Sequence, residues 1–340
     1  MESKLIDTMN QEEPILVAIH CLVYNHEPYL RDCFEGFVMQ KTNFRFVAIV
    51  HEDCSTDHSA DIIREYEAKY PDIFRPIYET ENQYSKGECY LDRIMRRALN
   101  DTGCKYIAFC EGDDYWTDPY KLQKQVDFLE THNDYSICCH GYKIYNVASR
   151  EQTEILYNEK EEGFEFSNVE NCENWYTKTL TILFRSKVYN AMPDMSQFRY
   201  WRDAHIMYYL LKKGKGYYLP FVGGTYREHS GGIYYSLPSY QKDLINFKVY
   251  GEIYLYNKDD QELVHFFTKI LHETMKYVVW RIRLQDYSPE VKENLSAVSN
   301  LLWKDKKYKT LVTWYKQIII AAIKGSKCYQ NVKNILKNPA

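Results

Sequence analysis

The sequence predicts an α/β fold in which a mostly parallel sheet is flanked by helices and followed by a helical carboxyl-terminal appendage. Three observations predict it. Continuous apolar runs, of the kind that form strands buried on both faces, recur through the first 110 residues. Helix-period apolar stripes alternate with them across short polar connections, giving β-α-β-α-β-α-β, the order that builds a parallel sheet through right-handed crossovers. From about Ser239 onward that alternation stops and only helical periodicity remains.

The first strand is Ile15 to Val23, ended by Tyr24-Asn25, and a helix follows from about Pro28 with Leu30, Phe34, Phe37 and Val38 inward. The second strand, Phe44 to Val50, leads into His51-Glu-Asp-Cys-Ser-Thr-Asp57. There Ser55, Thr56 and Asp57 are able to cap the next helix, striped by Ile62, Ile63, Tyr66 and Tyr70. A third strand near Phe74 to Tyr78, a polar segment Glu79 to Lys86 and a helix ending near Asn100 precede the fourth strand, 105–110. That strand runs straight into Glu111-Gly112-Asp113-Asp114. Asp118-Pro119 then supplies an N-cap and first turn for a helix through 131, with Leu122, Val126 and Leu129 on one face.

Beyond it, Ser136 to Tyr145 and Leu180 to Arg185 read as strands, separated by a polar, acidic stretch from Glu151 to Glu173. Arg202 to Lys213 reads as a helix and Gly216 to Val222 as a strand. Gly223-Gly224 and Gly231-Gly232 bracket Tyr226-Arg-Glu-His229, which predicts a mobile loop.

Composition narrows the classes. A chain of 340 residues suggests about two domains. Hydrophobic residues at 45% and charged ones at 26% give an ordinary globular balance, and the net charge of −4 predicts no nucleic-acid partner. Met1 to Pro14 is polar and acidic, unlike a signal peptide, and no apolar run nears the roughly 18 residues that span a bilayer. The ten cysteines lack metal-type spacing; several, such as Cys21, Cys110 and Cys138, sit in apolar runs, so free thiols in a cytoplasmic protein are expected. The 33 tyrosines are spread along the chain and read as compositional bias. The last forty residues hold nine lysines and one aspartate beside the apolar run Ile318 to Ile323. A basic helix with an apolar face fits a peripheral membrane contact, at the inner face of the membrane, or a docking role.

Glu111, Asp113 and Asp114 have no capping duty. Crowded at the carboxyl end of a buried strand they repel one another, and a divalent cation held by hard oxygen ligands offsets that cost. The same edge is where open α/β sheets bind ligands. The bland alternative is a solvated acidic turn.

Taken with their order, these motifs resemble the family 2 glycosyltransferases of GT-A fold over roughly residues 14–235. The opening strand ends in Tyr24-Asn25, with Glu27 close behind. Glu52-Asp53-Cys54-Ser55-Thr56-Asp57 resembles the Asp-Asp-Gly-Ser-Thr-Asp turn that holds base and ribose, and Glu111-Gly112-Asp113, with Asp114 as fourth residue, resembles the Asp-X-Asp signature. Trp201-Arg202-Asp203 resembles the segment carrying the catalytic base, and Tyr226-Arg-Glu-His229 the motif whose histidine reaches the metal or diphosphate. Glu replaces Asp at 52 and 111, and Cys54 takes a glycine position, implying a less strained turn. The Gln-X-X-Arg-Trp motif of processive members is not found.

The resemblance implies a GT-A catalytic domain over 1–235, with a nucleotide-sugar half about 14–131 and an acceptor half about 132–235, and a helical region over 236–340. It implies a metal-dependent inverting transfer of one sugar from a UDP-linked donor to a glycan or glycolipid, in surface polysaccharide synthesis. Asp113, Glu111 and His229 would hold Mn2+ or Mg2+. Asp203 would be the base, its plain alternative being an acid in the first turn of a helix. Tyr24, Asn25, Glu27, Glu52, Asp53, Glu111 and Asp114 would face the nucleotide. Lys86 and Arg93 could meet a phosphate or lie solvated on the surface, and Trp116, Trp175 and Trp201 could stack on acceptor sugars, core packing being the commoner fate of a tryptophan. The rival readings are a nucleotidyltransferase acting on a sugar phosphate and a non-catalytic binder of nucleotide or glycan.

Overall fold

The computed structural model describes residues 13–330 apart from 158–161, 233–234 and 328. Most of the acidic segment ahead of Pro14, and Lys333 and Lys337, lie outside the described residues. The chain divides into two compact units, Met1–Gly232 and Ile233–Ala340.

The first unit runs β1 (Ile15–Val23), α1 (Glu27–Val38), β2 (Arg45–Glu52), α2 (Ser59–Lys69), β3 (Phe74–Tyr78), α3 (Glu88–Asp101), β4 (Tyr106–Phe109), β5 (Tyr115–Trp116) and α4 (Lys121–Thr131). It continues through β6 (Tyr135–Asn146), β7 (Gln152–Ile155), β8 (Phe164–Phe166), α5 (Asn168–Asn174), β9 (Leu183–Arg185), α6 (Ser186–Asn190), α7 (Asp203–Leu211) and β10 (Lys215–Glu228). The sheet order is β3-β2-β1-β4-β9-β6-β10-β5, with β7 on β6 and β8 on β10. Strands β3, β2, β1 and β4 are mutually parallel, as are β6 and β10. Strand β9 joins the two groups antiparallel to both β4 and β6.

The core explains the order. Val17, Ile19, Cys21 and Val23 of β1 pack with Leu30, Phe34 and Phe37 of α1, and Ile62, Ile63 and Tyr66 of α2 extend the same cluster. Burying each such side chain contributes roughly 1.5–3 kcal/mol, enough to hold both helices on the sheet. Helices α1 and α2 start at the carboxyl edge and cap each other. The Glu27 amide donates to Asp57 Oδ2 at 3.0 Å, the His58 amide to Glu27 Oε2 at 3.1 Å, and the His26 amide to Ser59 Oγ at 2.9 Å. Amide donors that a helix start leaves orphaned are thus satisfied across two loops.

Three expectations change. Tyr226 to Glu228 is strand, not mobile loop: β10 runs through Gly223-Gly224 and pairs Arg227 with Tyr145 and Glu228 with Asn146 of β6. Those glycines serve packing at a register shift. A Cβ on Gly223 would lie 2.6 Å from the His140 ring, and one on Gly224 would lie 2.7 Å from Leu180. Helix α4 begins at Lys121 because Asp118 Oδ1 closes a turn on the Tyr120 amide at 2.7 Å. The acidic stretch 151–173 hides β7, β8 and α5.

The second unit is helical: α8 (Ser239–Tyr256), α9 (Gln261–Arg283), α10 (Pro289–Lys304) and α11 (Tyr308–Gly325). Phe247, Ile253, Phe267, Val298, Leu302 and Trp314 are buried within it. Among the described residues no helix is long and apolar enough to cross a membrane.

Candidate active site

Past β4 the chain keeps following β1, with the Cys110 amide on His20 O at 3.0 Å and the Gly112 amide on Leu22 O at 2.9 Å. Glu111, Asp113 and Asp114 therefore emerge at the carboxyl edge of the parallel strands. Gly112 admits no side chain there, since a Cβ would lie 2.8 Å from His26 Nδ1 and 3.0 Å from both Leu30 and Val23. One potential ligand atom from each of the three carboxylates lies within 4.8 Å of the others.

Their electrostatics differ. Asp114 is fully buried; its Oδ1 accepts the Arg227 amide at 2.8 Å, while Oδ2 is buried without a partner. Burial, then the charges of Asp113 and Glu111, pushes its pKa well above the carboxylate range. Glu111 accepts from Thr179 Oγ1 at 3.3 Å, and burial, with Asp113 and Asp203 nearby, raises its pKa to about 8 against the pull of Lys178. Asp113 behaves oppositely. Burial would raise it, but the His229 hydrogen bond at 3.1 Å and His26 at 3.8 Å hold it below its ordinary value. His26 itself is pushed down by burial, so its ring is held toward the neutral form, and its Nδ1 is buried without a partner.

Arg227 fastens the site. Its Nη1 donates to Asp113 O at 2.8 Å, its other terminus pairs with Asp32 of α1, and its guanidinium lies 4.2 Å from the Tyr115 ring centroid. Asp203 is the first residue of α7, and its Oδ1 accepts the Ala204 amide at 2.9 Å. Burial raises its pKa, opposed by that amide and by Lys178 and Arg202. Lys178 sits 3.5 Å above the Tyr226 ring; burial lowers its pKa while Asp114, Asp203, Glu111 and Glu228 pull the other way. Lys178 thus stands among four acids.

The nucleotide-side candidates gather at the neighbouring loops. Tyr24 is 45% exposed, Asn25 Oδ1 accepts the Thr56 amide at 2.7 Å, and Glu27 has one oxygen on the His58 amide. Glu52 Oε1 takes the Ser55 amide at 2.6 Å. Asp53 takes the amides of Gln83 and Tyr84 at 2.6 and 3.0 Å, so it organises the polar segment after β3. Cys54 keeps φ at +60°, so the turn retains the glycine-type conformation in a residue with a Cβ, and the expected relief of strain is not found. Trp116 and Trp201 are buried in the interior, and Trp116 Nε1 is spent on Leu180 O, which leaves neither a face for a sugar. Lys86 and Arg93 are exposed; Lys86 pairs with Glu81 and Arg93 lies over Tyr90.

Sequence reasoning missed His26, Asp32, Lys178, Thr179 and Arg227. His26 follows the predicted strand end and Arg227 lies inside a motif already quoted, so position could have flagged both. Lys178 and Asp32 carry no local signal.

Residues 19–196 match the family described as Glycosyl transferase family 2. An uncharacterised protein of Mycobacterium tuberculosis, Rv1520, is 31% identical over 231 residues, 65% of this chain and 61% of its own. EpsE of Bacillus subtilis, whose name carries a provisional glycosyltransferase assignment, is 27% identical over 176 residues, 52% of this chain and 58% of its own. The chain thus spans about three fifths of the length of these relatives. Among solved structures, residues 1–349 of S. aureus TarS in complex with UDP-GlcNAc give a TM-score of 0.63 at 14% identity, covering 95% of this chain and 92% of that one. At that identity the likeness establishes the fold alone.

Proposed function

The chain belongs to glycosyl transferase family 2 and carries the GT-A fold, and from that premise we propose that it is a glycosyltransferase that moves a single sugar, with inversion, from a UDP-linked donor to a glycan or glycolipid acceptor in a metal-dependent reaction. The observation that carries the proposal is the carboxylate cluster within 4.8 Å, with Asp114 Oδ2 buried and orphaned and His229 set on Asp113. Hard oxygens and one imidazole form a donor set that fits Mn2+ or Mg2+, and a cation there would offset the repulsion that raises Glu111 and Asp114. Asp113, Glu111 and His229 would hold it, and when bound it would supply Lewis-acid stabilisation of the charge growing on the diphosphate.

The remaining steps fall to the chain itself. Asp203 accepts the proton of the acceptor hydroxyl as that oxygen bonds to the anomeric carbon and the bond to the nucleotide diphosphate breaks. Attack opposite the leaving group inverts the centre. A positive charge on Lys178 would favour the ionised forms of Asp203 and Glu111 beside it. Tyr24, Asn25, Glu27, Glu52 and Asp53 line the nucleotide side, where Glu52 and Asp53 would accept from base and ribose with the lone pairs their turns leave free. UDP is favoured by the resemblance of these motifs and by the UDP-GlcNAc that TarS binds. A role in surface polysaccharide synthesis places the protein in the cytoplasm. A glycolipid acceptor would bring it to the inner face of the membrane, with the basic carboxyl-terminal helices in peripheral contact.

The test is product release from a panel of nucleotide sugars, with manganese and with chelator. Manganese-dependent UDP release supports the proposal. Pyrophosphate release makes the protein a nucleotidyltransferase, and binding without product makes it a non-catalytic binder; either overturns it.

A further inference from the structure

Helix α11 buries Trp314 and Ala321 in the helical unit. Its opposite side is apolar and bare. Tyr308, Val312, Tyr315, Ile319 and Ile323 are 48%, 55%, 45%, 57% and 55% exposed. Spaced by four, three, four and four residues, they form one stripe along the helix, and exposed Ile320 widens it. Exposed Lys309 and Lys316 run along one border, with Lys324 farther round. No acidic residue occurs between Lys306 and Gln330. The patch continues past the helix. Trp303, 63% exposed, packs edge-on to Tyr308 with centroids 5.3 Å apart. Gln285 Nε2 donates to Ala322 O at 3.1 Å, which ties on the end of α9 that carries exposed Trp280 and Leu284.

We propose that this face of α11 docks on an anionic phospholipid surface, aliphatic stripe down, with Lys309, Lys316 and Lys324 at the headgroups. Charge complementarity selects that occupant. A symmetric contact with a second copy sets the same patch against itself and would crowd lysines of one sign together. A neutral apolar partner leaves the lysine border unmatched. A lipid interface takes branched side chains into the acyl boundary, tryptophan and tyrosine at headgroup depth, and lysines on phosphate. The proposal deepens the peripheral contact given above and rests on it only for the location of the acceptor; the transfer chemistry and this docking can fail separately.

The experiment sediments the full chain with vesicles of phosphatidylcholine alone and of phosphatidylcholine with phosphatidylglycerol, at low and high salt. Binding to the anionic vesicles only, lost at high salt, is expected. Lys309→Gln/Lys316→Gln/Lys324→Gln should weaken the partition on the order of a hundred-fold. Ile319→Ser/Ile323→Ser should abolish it with an unchanged melting temperature, because both side chains are exposed in the free protein. Should the serine variant unfold, the glutamine variant alone decides. No sedimentation, equal binding to neutral vesicles, or binding that survives the glutamine variant overturns the proposal. So does a lipid-free dimer that the isoleucine changes dissolve. UDP release from the same samples without lipid reports on the transfer reaction independently.

Discussion

His229 Nε2 stands 3.1 Å from Asp113 Oδ2 although 116 positions separate them. The contact forms because β10 carries its last residues past the acidic turn. Two positions earlier, the Arg227 amide reaches Asp114 and its side chain reaches Asp113 O. One strand end therefore orients two of the three carboxylates, and the histidine is set by the same pairing with β6 that shapes the edge.

Asp113→Asn should remove manganese-dependent UDP binding in calorimetry. His229→Ala should weaken it on the order of ten- to a hundred-fold, as lost groups at metal sites do. Unchanged affinity in both would detach the histidine and the acid from any cation.

Asp203→Asn should leave donor binding intact and lower turnover by roughly a hundred- to ten-thousand-fold. In the parent, burial raises the Asp203 pKa, so turnover should fall on acidification at a higher pH than for an ordinary carboxylate. Lys178→Met should move that acid limb upward, since a cation favouring the ionised base is gone, whereas Lys178→Arg should restore it. A parent-like rate in Asp203→Asn would refute the assignment of the base.

The metal-free protein should be more stable in acid than near neutrality, as far as Glu111 contributes. Its folded pKa is about 8 against an ordinary 4.5, so the native state binds the extra proton between those values. The contribution is fully present below the unfolded value and is lost as pH rises through the folded one. Thermal melts from pH 4.5 to pH 8 should show a smaller decline in Glu111→Gln than in the parent, and identical slopes would contradict the shift.

Gly112→Ala should destabilise by about 1–3 kcal/mol and also weaken donor binding. The new methyl would meet His26 at 2.8 Å, and His26 faces Asp113. Urea melts and donor titrations check the two effects separately. A neutral substitution would mean that the turn relaxes freely.

The parallel strands and their helices were legible because their signals are local. Apolar runs and helix-period stripes report burial directly, and β3 falls at the expected Phe74–Tyr78. The glycine pair at 223–224 misled because glycine marks both chain reversal and close packing. Only the His140 ring and Leu180 against those positions distinguish the two. The tryptophans followed the commoner fate of an indole, core packing: Trp116 is spent inside, against Phe37 and Leu180.

By itself the sequence determined which residue types stand at the carboxyl ends of the strands, since strand length and turn chemistry place Glu111, Asp113 and Asp114 there by short-range rules. Tertiary structure alone decided that Lys178 and Arg227 join them, and it set His229, to which the motif resemblance already pointed, on Asp113. Arg227 and His229 arrive there through the pairing of β10 with β6 and β5, whereas Lys178 comes from the segment ahead of β9 and lies over the Tyr226 ring. It decided the charge states too, because Asp113 below its usual range and Glu111 and Asp114 above theirs are set by burial and neighbouring charges, which the order of residues does not encode locally.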